Sequence, residues 1–160
     1  MADHNDEFYT VRGYTMQNQD NKRLTSGMED YLEMIFRLCG EKGYTRMNDL
    51  AGALNVQPPS AHKMVKKLAK DNYLNYEKYG LIHLTPTGWE LGKELLARHQ
   101  TLEKFLRLIG VSANILEDTE KIEHNISKET LECIFCFVGY AEENPHWINA
   151  FQSYKQNKQP

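Results

Sequence analysis

Two carboxylates and an imidazole crowd into the stretch "EKIEHNI": Glu120, Glu123 and His124. On a helix, residues at i, i+3 and i+4 project from one face, so this stretch aims two negative charges and a histidine at one point. Such a face is either dissolved in water or gathered around something positive. Asp30 and Glu33 in "MEDYLEMIF" form a second pair, about 60° apart by helical-wheel counting. His99 in "ARHQTLEKF" follows Leu95 and Leu96 at helical spacing, which puts it on the apolar side of a third segment. Singly, these are solvated acids and a core histidine. Together, four carboxylates and two neutral imidazoles on three helices are what a helical protein needs to build a metal site between packed elements. The set contains no sulfur and suits Mn2+ or Fe2+ better than it suits a closed cysteine zinc site.

A second constellation is basic. From Asn55 to Lys70 the charged residues are Lys63, Lys66, Lys67 and Lys70, with no acid among them, in a chain whose formal charge is −3. A helix that reads DNA needs small residues at its N-terminus to approach base edges and cations to hold phosphates. Pro59, Ser60, Ala61 and His62 are placed to enter a groove. Lys63, Lys66 and Lys67 are placed to reach the backbone, and Lys78 in the following hairpin joins them.

The elements that must position these residues follow from periodicity. Met28 to Cys39 carries Leu32, Ile35, Phe36 and Cys39 at i, i+3, i+4, i+7, an amphipathic helix stopped by Gly40 and Gly43. "TRMNDLAGALNV" predicts a short helix packing Met47, Leu50, Ala51 and Leu54. A turn over Asn55 to Pro59 leads to a second helix, with Pro59 in its first position and Met64, Val65 and Leu68 facing inward. "YLNYEKYGLIHLT" has the composition of a two-stranded hairpin around Lys78 to Gly80. Helix, turn, helix, hairpin is the order of a winged helix-turn-helix. A long helix runs from a cap at Thr85 or Thr87 to Gly110. It is followed by helices in "SANILEDTEKIEHNI", in "SKETLECIFCFVGYAEEN" after Ser127, and by a short one after Pro145. The expected fold is mainly α: an N-terminal winged helix-turn-helix with a small β-hairpin wing, then an all-helical dimerisation and metal-binding domain. The expected divisions are a polar extension at 1–27, the DNA-binding domain at 28–90 and the helical domain at 91–160.

"TLECIFCFVGY" is apolar around more of its circumference than a surface helix needs, and a lone winged helix reads only half a site; a homodimer through this helix is expected. Cys39, Cys133 and Cys136 sit in apolar surroundings and are expected to pack in the core. No apolar run approaches the roughly 20 residues that span a bilayer, and "MADHNDEFYT" lacks the features of a signal peptide. A cytoplasmic protein with no membrane partner and no small organic substrate is expected. A helical dinuclear metalloenzyme is the rival class, but it leaves the basic helix and the wing unexplained, so no enzymatic activity is expected.

From Ser26 to Asn144 the chain resembles the diphtheria-toxin-repressor family of metal-dependent regulators, and its manganese transport regulator branch in particular. The resemblance rests on "MEDYLEMIF", "VQPPSAHKMVKKLAKDNYLNYEKYGLIHLTPTG", "ARHQTLEKFLRLIGV" and "EKIEHNIS". It implies a binuclear site formed by Asp30, Glu33, His99, Glu120, Glu123 and His124, holding two Mn2+ ions per protomer and activating a dimeric repressor of manganese uptake for operator DNA. Iron-responsive relatives carry methionine where this chain has Asp30 and cysteine where it has Glu120, so the resemblance favours manganese over iron. The branch lacks the SH3-like domain of the longer iron-responsive proteins, and none is expected here. The leader and Pro59, where the branch has a serine, depart from its pattern. Two divalent ions would also reverse the sign of the formal charge, which is expected to favour DNA.

Overall fold

The computed structural model describes residues 24–77 and 80–158. Within them the order is α1 (Ser26–Cys39), β1 (Thr45–Arg46), α2 (Met47–Ala53), α3 (Pro58–Lys70), β2 (Leu74–Tyr76), β3 (Leu81–Leu84), α4 (Pro86–Leu108), α5 (Ile115–Glu123), α6 (Lys128–Glu143) and α7 (Pro145–Lys158). The helix-turn-helix and wing are formed by α2, α3 and the strands, with α1 beneath them.

The expected stripe of α1 is buried: Leu32, Ile35 and Cys39 are inaccessible, and they meet Leu50 of α2, Val65 and Leu68 of α3, and Ile82 of β3 in one core. Phe36, at the edge of the stripe, packs edge-on against Trp89 with ring centroids 4.8 Å apart. The fold begins earlier than expected. Leu24 is part of the core, and the Thr25 hydroxyl accepts from the Met28 amide, so residues 24–27 belong to the domain. The rest of the expected extension, residues 1–23, lies outside the described residues.

The wing also differs. Instead of two strands the sheet has three, ordered β1-β3-β2, with Thr45 opposite Ile82 and Arg46 opposite Leu81. A two-residue strand has no alternation to betray it, and Thr45 and Arg46 read as the start of α2. Thr45 is buried in the sheet, and Arg46 keeps extended backbone as the residue preceding that helix.

The division expected near residue 90 falls inside α4, a continuous helix of 23 residues. The Thr85 hydroxyl both accepts from the Gly88 amide at 3.1 Å and donates to the Asn72 carbonyl at 2.8 Å, which fixes the start of α4 to the wing. Further along, α5 and α6 pack on the same helix. Its far end is held by α7: Gln152 Nε2 donates to the Leu108 carbonyl at 2.8 Å, and the Lys155 ammonium donates to the carbonyls of Ile109 and Gly110. Helix α6 starts at Ser127 as expected, with the hydroxyl accepting from the Thr130 amide. Only Cys39 matches the expectation for the cysteines. Cys133 and Cys136 are exposed, because α6 buries just Val138 and Ala141 in the single chain and turns Phe135 and Tyr140 outward.

Gly88 is the tightest join between wing and α4. A Cβ there would lie 1.8 Å from the Tyr73 carbonyl oxygen, a backbone atom that cannot swing aside. Gly88→Ala should therefore destabilise the metal-free protein by about 3 kcal/mol, the upper end of ordinary overpacking, seen as a lower urea midpoint. Gly52→Ala, where a Cβ meets open space, should be neutral or stabilising. Equal midpoints for the two variants would contradict this account of the join.

Candidate metal centre

All six acids and histidines singled out in the sequence come together where α1, α4 and α5 meet. Helix α1 supplies Asp30 and Glu33, α4 supplies His99, and α5 supplies Glu120 and Glu123. His124 caps α5 with helical backbone angles (φ −85°, ψ −11°), so the shared face predicted for "EKIEH" is preserved. Two groups of ligand-sized spacing result: Asp30 with Glu120, Glu123 and His124, and Glu33 with His99 and Glu123. In each, one donor atom per residue lies within 4.8 Å of the others. Glu123 belongs to both. Its Oε2 stands 3.0 Å from His99 Nδ1, and its Oε1 stands 3.5 Å from His124 Nε2.

Around this pivot, His99 Nδ1 also faces Glu120 at 3.7 Å and Glu33 at 3.9 Å, and His124 Nε2 lies 2.9 Å from Asp30. Glu33, His99 and Glu123 are buried, at 8%, 4% and 3% exposure. Charged groups so removed from water must be paired. The hydrogen bond to Glu123, reinforced by the charges of Glu33 and Glu123, outweighs burial and raises the pKa of His99 above its usual value. Hydrogen bonds to Asp30 and Glu29 push His124 up to about 9 against the opposing effect of burial. Burial raises Glu33 despite its arginine partner, and burial together with the charges of Glu123 and Asp30 raises Glu120. The cluster therefore gathers protons.

Three surrounding residues were not singled out from the sequence. Glu29 Oε2 lies 3.1 Å from His124 Nδ1 and accepts from Arg98 at 2.8 Å. With Nδ1 turned to this carboxylate, Nε2 is left facing the cluster, the arrangement that commonly orients a metal-binding imidazole. Glu29 and Arg98 are sequence neighbours of Asp30 and His99, a quarter-turn away on their helices, and periodicity alone places them on other faces. Arg37 bonds Glu33, and that pair was legible as an i, i+4 spacing. As a donor set, carboxylate oxygens and imidazole nitrogens without thiolate fit a hard or borderline divalent cation.

The basic face is assembled on α3. Pro59, Ser60, Lys63, Lys66 and Lys67 are exposed, as are Gln57 before the helix and Lys70 at its end. Ala61 is not part of this surface: it is fully buried, on the inward side with Val65 and Leu68. The helix starts at Pro58 rather than Pro59, and position i+3 from that start turns inward. His62 is half-buried, its Nδ1 3.1 Å from the Tyr76 hydroxyl, so it braces α3 against the wing. Lys78 lies outside the described residues.

Comparison with known proteins agrees with this geometry. The sequence pattern of the family described as "Iron dependent repressor, N-terminal DNA binding domain" matches residues 23–82, and that of "Iron dependent repressor, metal binding and dimerisation domain" matches residues 85–150. The HTH-type transcriptional regulator MntR of Geobacillus thermodenitrificans (strain NG80-2) is 49% identical over 137 residues, 84% of this chain and 97% of the relative. Its namesake from Lysinibacillus sphaericus (strain C3-41) is 48% identical, over 82% of this chain and 95% of the relative. Among solved structures, the manganese regulator SloR superposes with a TM-score of 0.64 at 28% identity, covering 73% of this chain. This chain spans only 55% of the SloR chain. With both family patterns matched in order and near half-identity along most of its length, the chain belongs to the iron dependent repressor family, a family of transcriptional regulators rather than enzymes.

Proposed function

We propose that this protein is a manganese-dependent repressor that binds operator DNA as a homodimer when its acid–histidine cluster is loaded. The observation that carries the reading is Glu123, placed between two histidines and shared by two groups of donors. Asp30, Glu120, Glu123 and His124 would hold one ion, and Glu33, His99 and Glu123 a second. The relatives named as MntR and the regulator SloR support manganese. So do Asp30 and Glu120, which stand where iron-responsive relatives carry methionine and cysteine. Iron is the second reading, favoured by the family's description. Mn2+ is the weakest binder of the common first-row ions, so choice between the two must come from geometry and not from raw affinity.

Metal held by these residues would supply positive charge among the acids of α1 and α5. The chain's own residues do the rest. Asp30 and Glu33 stand on the helix whose opposite side packs against α3, so their position is transmitted to the DNA-reading element through one rigid body. Lys63, Lys66 and Lys67 offer phosphate contacts. The outward face of α6, with Phe135 and Tyr140, pairs two copies so that two recognition helices can be set about 34 Å apart, one turn of DNA. DNA as partner places the protein in the cytoplasm. Among the described residues no helix is long and apolar enough to cross a membrane.

Three outcomes are expected. In calorimetric titrations with Mn2+, Glu33→Gln should lose one ion, whereas Glu123→Gln should lose or gravely weaken both; two tight ions in Glu123→Gln would contradict the shared-ligand assignment. In selection from a random duplex pool, the full chain should retain a defined sequence with Mn2+ and release it on chelation. On that duplex, Lys63→Ala should reduce the slope of log affinity against log salt by about 0.9. Enrichment that ignores chelator would end the metal-dependent reading.

The third outcome concerns protons. His124 faces Glu29 and Asp30 from α1 and Glu123 beside it, and Glu29 is also bonded by Arg98 from α4. Its raised pKa means that the folded, metal-free protein holds a proton that the unfolded chain releases near 6.5. The resulting stability is fully present below about pH 6.5 and is lost as pH rises through about 9. His99 contributes with the same sign, as do Glu33 and Glu120 at lower pH. The urea midpoint of metal-free protein should fall between pH 6.5 and 9.5, and His124→Gln should flatten most of that fall. Mn2+ uptake at pH 7 should release protons, because an imidazole nitrogen must give up its hydrogen to accept a metal. A flat wild-type profile would exclude a protonated His124.

A further inference from the structure

We propose that Arg37 is a built-in cation that competes with metal for Glu33 and so sets the concentration at which the Glu33 position fills. The inference rests on the reading of the cluster as a metal centre, and it concerns how that centre is tuned. Arg37 donates through both Nε and Nη2 to a single oxygen, Glu33 Oε1, at 3.0 and 2.5 Å. That same oxygen is the one 3.9 Å from His99 Nδ1. The guanidinium is therefore fastened to the edge of the Glu33–His99–Glu123 group.

The pair is unlike an ordinary i, i+4 surface bridge. The carboxylate end is buried, with a side-chain exposure of 10%, while the guanidinium is 38% exposed. Arg37 lines a cleft of about 320 Å³ together with Asp30, Glu33, His99, Leu54 and Leu116. The cleft is also lined by the end of α2 and the start of α5, and Arg37 is the group among its lining residues whose positive charge does not depend on pH.

The two donor groups are treated differently. Among the described residues, no arginine or lysine bonds Asp30, Glu120 or Glu123, and Arg98 is held by Glu29, outside both donor groups. Among the described residues, the Glu33 group alone carries a fixed positive charge on one of its carboxylates. An arginine cannot relieve the conflict by losing its proton, so an incoming cation meets a like charge, or must take Glu33 away from its partner. The group containing Asp30 and His124 fills first, and the Glu33 group fills last, at a concentration raised by Arg37.

The test is calorimetric titration of the full chain with Mn2+, alongside thermal melts in chelator, for wild type, Arg37→Met and Arg37→Lys. Arg37→Met should tighten the weaker of the two ions about tenfold and move the stronger by less than about twofold. Its metal-free melting temperature should drop, because Glu33 loses its partner. Arg37→Lys, which keeps the charge, should stay within about threefold of wild type for both ions. A purely structural arginine would lower metal affinity and melting temperature together. A weaker-site affinity that is unchanged or reduced in Arg37→Met would therefore overturn the proposal. A wild-type chain that takes up no Mn2+ would overturn the metal-centre reading as well, whereas two ions bound with no response to Arg37→Met would overturn this inference alone.

Discussion

The Glu123 carboxylate, almost wholly out of water between two imidazoles, is the constraint on which the rest of the molecule depends. An ionised group buried without partners costs several kcal/mol even after relaxation. Here one oxygen faces His99 on α4 and the other faces His124 at the end of its own helix. His124 in turn reaches Asp30 and Glu29 on α1. The main packing of α1 and of α5 is against α4, each on its own account. The acids and His124 give these two helices a direct polar link, and its strength depends on which cation sits among the acids. A protonated histidine is one such cation, and a metal ion would be a stronger one.

Helix α4 is what allows a polar link at one point to matter elsewhere. It is pinned at three levels by groups with little room to move. Thr85 and Gly88 lock its start to the backbone of residues 72 and 73, Gly92 lets Phe36 lie against its middle, and Gln152 and Lys155 hold its last carbonyls. A Cβ on Gly92 would stand 2.7 Å from Phe36 Cβ, so the two helices approach closely because the residue is glycine. His99 lies between the middle and the far end. The histidine that accompanies Glu123 thus rides on the same rod that carries the wing at its start.

Much of this was legible before any coordinate. The helical spacings of Leu32, Ile35 and Cys39, or of Val65 and Leu68, are strong because each helix shows one face to one core, and periodicity records that directly. The six clustered residues were legible as three face-sharing sets, and a family resemblance joined them. What escaped is what periodicity does not encode. Thr45 and Arg46 pair with β3 over two residues, too few for a pattern. Ala61 has a small side chain that suits a groove and a core equally well, and only the start of α3 at Pro58 decides between them. Cys133 and Cys136 look like core because their helix is apolar all round, yet one chain provides cover for only part of it. Glu29 and Arg98 lie on other faces than their ligand-bearing neighbours along each helix, and they meet because α1 packs against α4, with His124 sharing the same Glu29 oxygen.

Two routes by which a filled cluster would act on DNA can be compared. A change in net charge was one expected route, since the chain carries −3 and two divalent ions would reverse that sign. His99, however, lies fourteen residues along α4 from Thr85, about 21 Å by helical rise. The screening length at physiological ionic strength is about 8 Å. The wing at the start of α4 is thus more than two such lengths from the histidine, and most of the added field is lost before it reaches that end of the helix. The mechanical route is shorter. Asp30 and Glu33 belong to α1, and Leu32 and Ile35 of that helix are packed without accessible surface in the same core as Val65 and Leu68 of α3. A close-packed core has few continuous ways to deform, so fixing α1 against α5 fixes α3. Metal and DNA should then strengthen each other by the same factor, since the coupling is reciprocal, and that factor should depend only weakly on salt once the direct phosphate contacts are accounted for.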